Sequence, residues 1–100
     1  MVTVALFAKL QAKPGKEKDV ISFLERGLIL ANLETETQVW FALQIGPSTF
    51  GIFDAFTDEE RWNAHLTVPI AAALMANAEE LLTEPPKIER VDVLAARISG

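Results

Sequence analysis

The chain has 100 residues, half of them apolar, and a formal net charge of −5 at pH 7. This length allows one domain with one core, so residues 1–100 are predicted to form a single domain. The charged residues are scattered without a basic run, which excludes a nucleic-acid backbone binder. The chain has no cysteine, which excludes disulfides and thiolate chemistry. It has one histidine and scattered carboxylates, so no metal site is expected.

The amino-terminal segment is apolar, but it lacks a basic leader and reaches Lys9 too early for a signal peptide. No apolar run approaches the roughly 20 residues that cross a bilayer. We therefore expect a cytoplasmic protein with no membrane partner. The mean hydropathy of +0.23 is high for a small soluble monomer. A partner that covers an apolar surface or an apolar internal cavity would account for it, and we expect both.

The first predicted elements are a strand and a helix. Residues 2–10 are largely apolar on both faces of an extended segment, which is typical of a strand covered on both sides. Residues 12–15 form a loop by Pro-Gly chemistry. A helix is predicted from Lys16 to Leu33, with apolar residues at helical spacing at Val20, Leu24, Leu28 and Ala31.

A β-hairpin is predicted next. Residues 37–45 and 49–56 alternate between the two faces of a strand and are joined by a Gly-Pro-Ser turn. On the second strand, one face carries Phe50, Ile52, Asp54 and Phe56.

The second helical region is predicted in two parts. Thr57 and Glu60 form a capping box that starts a short helix ending near Leu66. Pro69 is tolerated in the first turn of a second helix, whose apolar stripe comprises Ile70, Leu74, Ala78, Leu81 and Leu82. Pro85 and Pro86 end this helix, and residues 87–96 are predicted as a last strand with Ile88, Val91, Val93 and Leu94.

The predicted order β-α-β-β-α-β is that of the α+β, ferredoxin-like fold with a four-stranded antiparallel sheet. Helices on one side leave the other face of the sheet to be covered. That face is expected to carry Phe7, Trp40 and Phe53, which are too apolar for water. Packing of two sheets in a homodimer, a dimeric α/β barrel, would cover them.

At several points the chain resembles the antibiotic biosynthesis monooxygenase domain family of dimeric α/β barrels. The similar segments are Ala12-Lys13-Pro14-Gly15-Lys16-Glu17, Phe56-Thr57-Asp58-Glu59-Glu60, Ala64-His65-Leu66 with Val68-Pro69, and Leu81-Leu82-Thr83-Glu84-Pro85-Pro86. They span nearly the whole chain in order and spacing. The resemblance implies a homodimer that binds a small hydrophobic or aromatic molecule. Some family members oxygenate phenols or quinols without a cofactor, and others degrade haem.

Cofactor-free oxygenation needs a dry pocket, a base and dipoles that hold the substrate anion. His65 is suited to moving a proton, or it bonds a backbone carbonyl at a helix end. Asp54 among apolar neighbours is a candidate base, or a partly exposed residue at a strand end. Trp62 offers stacking area or belongs to the core. Asn77 bonds either a ligand or nearby backbone.

Two positions depart from the family pattern. Phe56 stands where characterised monooxygenases carry a Trp, and Ile52 stands where they carry an Asn; both are retained as candidate substrate contacts. Haem degradation is not expected, because the first strand has no Asn and residues 70–75 have no His to bind iron. Two functions stay open: a cofactor-independent monooxygenase of a phenol, quinol or polyketide-like substrate, and a non-catalytic, small-molecule-binding or stress-related barrel.

Overall fold

A computed structural model describes residues 2–33, 39–61 and 69–97. Its elements are β1 (Val4–Gln11), α1 (Glu17–Ala31), β2 (Val39–Gln44), β3 (Thr49–Phe56), α2 (Pro69–Leu81) and β4 (Lys87–Asp92). All strand pairs are antiparallel, in the order β2-β3-β1-β4. The predicted α+β, ferredoxin-like fold with a four-stranded antiparallel sheet is confirmed. No helix among these residues is long and apolar enough to cross a membrane.

The main core lies between the sheet and the helices. Alternate residues of the two central strands point to this side, and helix α1 covers them with Val20, Phe23 and Leu24. Burying one such side chain fully contributes about 1.5–3 kcal/mol. The strand residues in this core are Leu6, Ala8, Leu10, Phe50, Ile52 and Phe56. We call this side of the sheet the helix face, and the opposite side the open face.

Leu28 was predicted to belong to the apolar stripe of α1, but it is 48% exposed and lies outside the buried stripe. The buried residues of the helix are Val20, Phe23, Leu24, Gly27 and Ala31. At 3.6 residues per turn, Leu28 lies about 80° from the centre of this stripe. Position 28 has helical spacing from Leu24 but turns away from the sheet, and the stripe continues through Gly27 instead.

The start of α1 is tied to the turn between β2 and β3. Gly15 has a φ of 84°, which glycine adopts without a steric cost. One carboxylate oxygen of Glu17 accepts the Gly15 N–H at 3.0 Å, and the other accepts the Ser48 hydroxyl at 2.8 Å. The pKa of Glu17 is lowered, first by its own backbone N–H and then by Ser48. These bonds fix the helix relative to the hairpin.

The predicted cap at Thr57 is wrong, because Asp58 caps the helical turn that begins at Glu59. Asp58 Oδ1 accepts the backbone N–H of Arg61 at 3.0 Å, the geometry of an N-cap. Thr57 instead accepts the hydroxyl of Thr3 at its carbonyl oxygen, at 2.8 Å. Thr57 therefore still belongs to the end of the sheet, and the turn starts one residue later. The pKa of Asp58 is lowered mainly by the Arg61 N–H.

We expect Asp58→Ala to lower the urea midpoint of unfolding, and Thr57→Ala to change it less. The effect should depend on pH, because a lowered pKa in the folded state stabilises only the ionised form. The ionised Asp58 side chain stabilises the folded protein fully when the pH is above 3.8, the ordinary pKa of an aspartate. This stabilisation is lost as the pH falls through the lower pKa that Asp58 has in the folded state. Urea melts at pH 7 and below pH 3.8 measure this. Equal loss in both variants at pH 7 would contradict the assignment.

The last strand is shorter than predicted, since β4 ends at Asp92 and Leu94 is 93% exposed. Asp92 lies opposite Val4, the first residue of β1. Val93 N–H still donates to the Thr3 carbonyl at 3.0 Å. Because β1 begins at Val4, its antiparallel partner β4 has no residue of β1 to pair with beyond Asp92. The last strand, predicted over residues 87–96, is therefore shorter than expected.

The open face is apolar, as predicted, but Trp40 does not contribute to it. The register of β2 and β3 pairs Phe41 with Phe53 and Trp40 with Asp54, which places Trp40 on the helix face. The rings of Phe41 and Phe53 stack with their centroids 6.5 Å apart. A cleft of about 480 Å³ on this face is lined by Val2, Val39, Phe41, Phe53, Ala55, Val93, Ala95, Ala96 and Arg97.

Candidate functional site

Asp54 is the centre of the candidate site. It is 0% exposed, and among the described residues it is the one buried charged side chain. Both of its carboxylate oxygens are closed off from solvent. Its position on the helix face follows from the alternation of β3, so the alternative of a partly exposed residue at a strand end is wrong. Burying a carboxylate is costly, and such carboxylates are common at functional sites.

A row of paired residues crosses the sheet through Asp54. Trp40 of β2 lies directly opposite Asp54 on one side, and Leu6 of β1 lies opposite it on the other. Leu6 is in turn paired with Arg90 of β4. Residues directly opposite in antiparallel strands point to the same face. The helix face therefore carries an indole, a carboxylate and a guanidinium in one line across the sheet.

Arg90 closes this row at the edge strand. Its guanidinium forms ion pairs with Glu59 and Asp92, each with a shortest distance of 2.8 Å. These bonds raise the pKa of Arg90, with Glu59 the larger cause. Since Glu59 follows β3 in the capped turn, the pair joins that turn to β4. Arg90 is partly exposed and already engaged, so its first role is to hold the edge of the site together.

Trp40 is a candidate site residue that the sequence pattern did not reveal. It packs against the main core, and its indole Nε1 is buried without a hydrogen-bond partner in the described part of the chain. The register of the hairpin was the signal that could have found it. Gln44 lies opposite Phe50 next to the turn. Four residues further from the turn on each strand, Trp40 therefore lies opposite Asp54.

Ile52 and Phe56 flank Asp54 on the same face of β3. They are 5% and 0% exposed and belong to the main core. Both side chains are hydrocarbon, so any contact they make with a ligand is van der Waals contact. The surroundings of the carboxylate on its own strand are therefore apolar, which strengthens electrostatic interactions made there.

Asn77 lies apart from this group. Its Nδ2 donates to the Ala73 carbonyl one turn earlier in α2, at 2.8 Å, so the backbone alternative is the one observed. Together with Leu10, Val20 and Phe23 it lines a void of about 10 Å³, too small for a ligand. Leu10 is four residues along β1 from Leu6, which places this void roughly 13 Å from the Asp54 row.

His65 and Trp62 lie outside the described residues, and their predicted roles stay predictions. Within residues 2–33, 39–61 and 69–97, no group of three or more His, Asp or Glu side chains is arranged to hold a metal ion.

Comparison with known proteins identifies relatives by structure. No family model and no curated protein matches the sequence. NE2512, a protein of unknown function from Nitrosomonas europaea, is 56% identical, with 100% of this chain and 97% of that chain covered and a TM-score of 0.96.

Two candidate antibiotic biosynthesis monooxygenases share the fold at low identity. The first, from Nitrosomonas europaea, is 15% identical over 92% of this chain and 90% of that one, with a TM-score of 0.80. The second, from Chloroflexus aurantiacus, is 19% identical over 98% and 99%, with a TM-score of 0.74. The chain therefore belongs to the same family as NE2512 and has the same fold as these two candidate antibiotic biosynthesis monooxygenases.

Proposed function

We propose that this protein is a cofactor-independent monooxygenase of a small aromatic substrate, a phenol, a quinol or a polyketide-like compound. The observation that carries the proposal is the fully buried Asp54 on the helix face, with Trp40 directly opposite. A base in an apolar setting is what formation of an aromatic anion requires. The shared fold with candidate monooxygenases supports the same reaction class.

The proposed reaction balances without an added reductant. A base removes a proton from the hydroxyl or the activated CH₂ of the substrate, and the resulting anion passes electrons to dioxygen. For an anthrone, the CH₂ becomes a carbonyl that holds one oxygen atom, and the other oxygen atom leaves as water with the two hydrogens. The substrate therefore supplies all four electrons that dioxygen accepts, and the protein supplies proton transfer and dry surroundings.

Each candidate residue except Asn77 has a role in this proposal. His65 is the first choice for moving the proton and Asp54 the second. Trp62 would stack on the ring, and Ile52 and Phe56 would supply apolar contact. Asn77 takes no part, because its amide donates to the Ala73 carbonyl at a distance from Asp54.

The direct test is oxygen uptake by purified protein that has been treated with chelator and shown to be free of flavin. A panel of hydroquinones and anthrones is assayed in an oxygen electrode, with the no-protein rate as the control. We expect uptake above that rate, with one oxygen atom of the product derived from ¹⁸O₂, as a carbonyl oxygen from an anthrone and as a hydroxyl oxygen from a hydroquinone. Uptake at the no-protein rate for every compound would reject the enzyme.

The alternative function is a non-catalytic small-molecule-binding or stress-related protein. The hydrocarbon side chains of Ile52 and Phe56 favour it, since the chain lacks on β3 the polar groups that characterised monooxygenases carry there. Compounds of the panel that bind without any oxygen uptake would support this alternative.

We also propose that the protein works as a homodimer in which the open faces of two sheets pack together. Phe41 is 54% exposed and Leu43 is 36% exposed on this face, and a second copy would remove such apolar surface from water. The single-domain organisation and the cytoplasmic location stay predictions from the sequence.

A further inference from the structure

We propose that the indole N–H of Trp40 is the hydrogen-bond donor that holds the hydroxyl oxygen of the aromatic ligand beside Asp54. The inference rests on the ligand class of the proposed function and assigns a specificity-determining residue to its site. It starts from an unpaired donor. Trp40 Nε1 has no contact with solvent and no hydrogen-bond partner among the described residues.

A buried donor without an acceptor is costly. Leaving such a group unsatisfied costs about 1–3 kcal/mol, and buried tryptophan N–H groups usually have a partner. The aromatic ring itself is accounted for, because it packs against the main core. A phenylalanine would supply that packing without a buried N–H. The polar atom of Trp40 therefore calls for an acceptor that a ligand would bring.

The position of Trp40 decides which acceptor fits. It is the direct cross-strand partner of Asp54, and side chains in such a pair have Cβ atoms about 4.5–5.5 Å apart on one face. The pair thus presents one N–H donor and one carboxylate acceptor side by side. An ionised carboxylate has about four acceptor sites, so Asp54 can accept a ligand hydroxyl in addition to its contacts within the protein.

A hydroxyl group matches this pair, because its oxygen accepts from Trp40 while its hydrogen is donated to Asp54. The side chains next to the pair are apolar, like the ring that carries the hydroxyl. Leu6 and Ile52 adjoin Asp54 on the helix face, and both are buried apolar side chains. If the ligand loses its proton, the Trp40 bond becomes charge-assisted and strengthens. The same N–H would then stabilise the anion that reacts with dioxygen.

The test compares two ligands of similar shape, 1-naphthol and 1-methylnaphthalene, on the wild-type protein and on Trp40→Phe. Phenylalanine keeps an aromatic ring and removes the N–H. We expect Trp40→Phe to weaken 1-naphthol binding roughly tenfold, as loss of one hydrogen bond does. Binding of 1-methylnaphthalene should change less than about twofold. Isothermal titration gives the affinities, and the urea midpoint shows that the variant is folded.

A spectroscopic readout separates hydrogen bonding from packing. In a ¹H–¹⁵N spectrum, the indole signal of Trp40 is identified by its absence in Trp40→Phe. We expect 1-naphthol to move this signal downfield and 1-methylnaphthalene not to do so. Equal losses of affinity for both compounds, or an unmoved signal at saturation, would overturn the assignment.

The outcomes also separate this inference from the proposed function. Hydroxyl-selective binding that depends on Trp40, without oxygen uptake, would support the donor and reject the enzyme. Oxygen uptake with an unchanged 1-naphthol affinity in Trp40→Phe would support the enzyme and overturn the donor. If the wild-type protein binds neither compound, the ligand class and the donor are both overturned.

Discussion

Replacing Asp54 with asparagine is expected to lower the rate of oxygen uptake by about 10²–10⁴-fold, the usual effect of losing a positioned base. The carboxylate is 0% exposed on the helix face, and asparagine keeps its shape while it removes the proton acceptor. Steady-state rates with the most active compound of the panel measure the effect. A urea melt of the same variant shows whether the core around position 54 remains folded.

Asp19→Asn is the matched control for this substitution. Asp19 lies in the first turn of α1, outside the candidate site, where its side chain is 59% exposed and lies 3.9 Å from the Lys16 amino group. The chemical change is identical, so a shared loss of activity would indicate a general effect of charge. A folded Asp54→Asn protein that keeps the full rate would contradict the role of Asp54 as a base.

Combining His65→Ala with Asp54→Asn tests whether the two candidate proton acceptors act together. If His65 and Asp54 act on the same proton as one unit, the double variant should lose little more of the oxygen-uptake rate than the more impaired single variant. If they act in separate steps, the losses should multiply.

The fold was predictable because its patterns are local. Alternation in β3 and the Gly-Pro-Ser turn specify a hairpin whose helix face carries Phe50, Ile52 and Asp54. The errors occurred where two local signals compete. Thr57 and Asp58 are both good helix caps, and the bond from Thr3 to the Thr57 carbonyl decides between them. That bond joins residues 54 positions apart, so no local pattern contains it.

The site was predictable only in part, for a related reason. Asp54 follows from the period of one strand, whereas Trp40 requires the register between two strands. A shift of one residue exchanges the faces of a whole strand. The alternation of β2 is ambiguous, because Trp40 on one side and Phe41 on the other are equally plausible core residues. The pairing of Phe41 with Phe53 and of Trp40 with Asp54 resolves it.

A charge on the open face is expected to dissociate the proposed homodimer. Phe41 stacks on Phe53 and is 54% exposed in the single chain, so Phe41→Asp places a carboxylate on the surface that a second sheet would cover. An uncompensated buried charge costs about 3 kcal/mol or more. A two-fold interface contains every substitution twice. The total of about 6 kcal/mol corresponds to roughly 10⁴-fold in the dissociation constant.

Sedimentation at micromolar concentration measures this effect. The wild-type protein should sediment at twice the chain mass of 11.0 kDa, and Phe41→Asp should sediment as a single chain. Ile29→Asp is the matched control, since Ile29 is 66% exposed on α1 and away from the sheet; that variant should stay dimeric. A stable sheet-to-sheet interface should bury more than about 1,200 Å² and should hold the dimer together at this concentration. A folded wild-type species that sediments at 11.0 kDa would reject the homodimer. A Phe41→Asp protein that stays dimeric would place the interface on another surface.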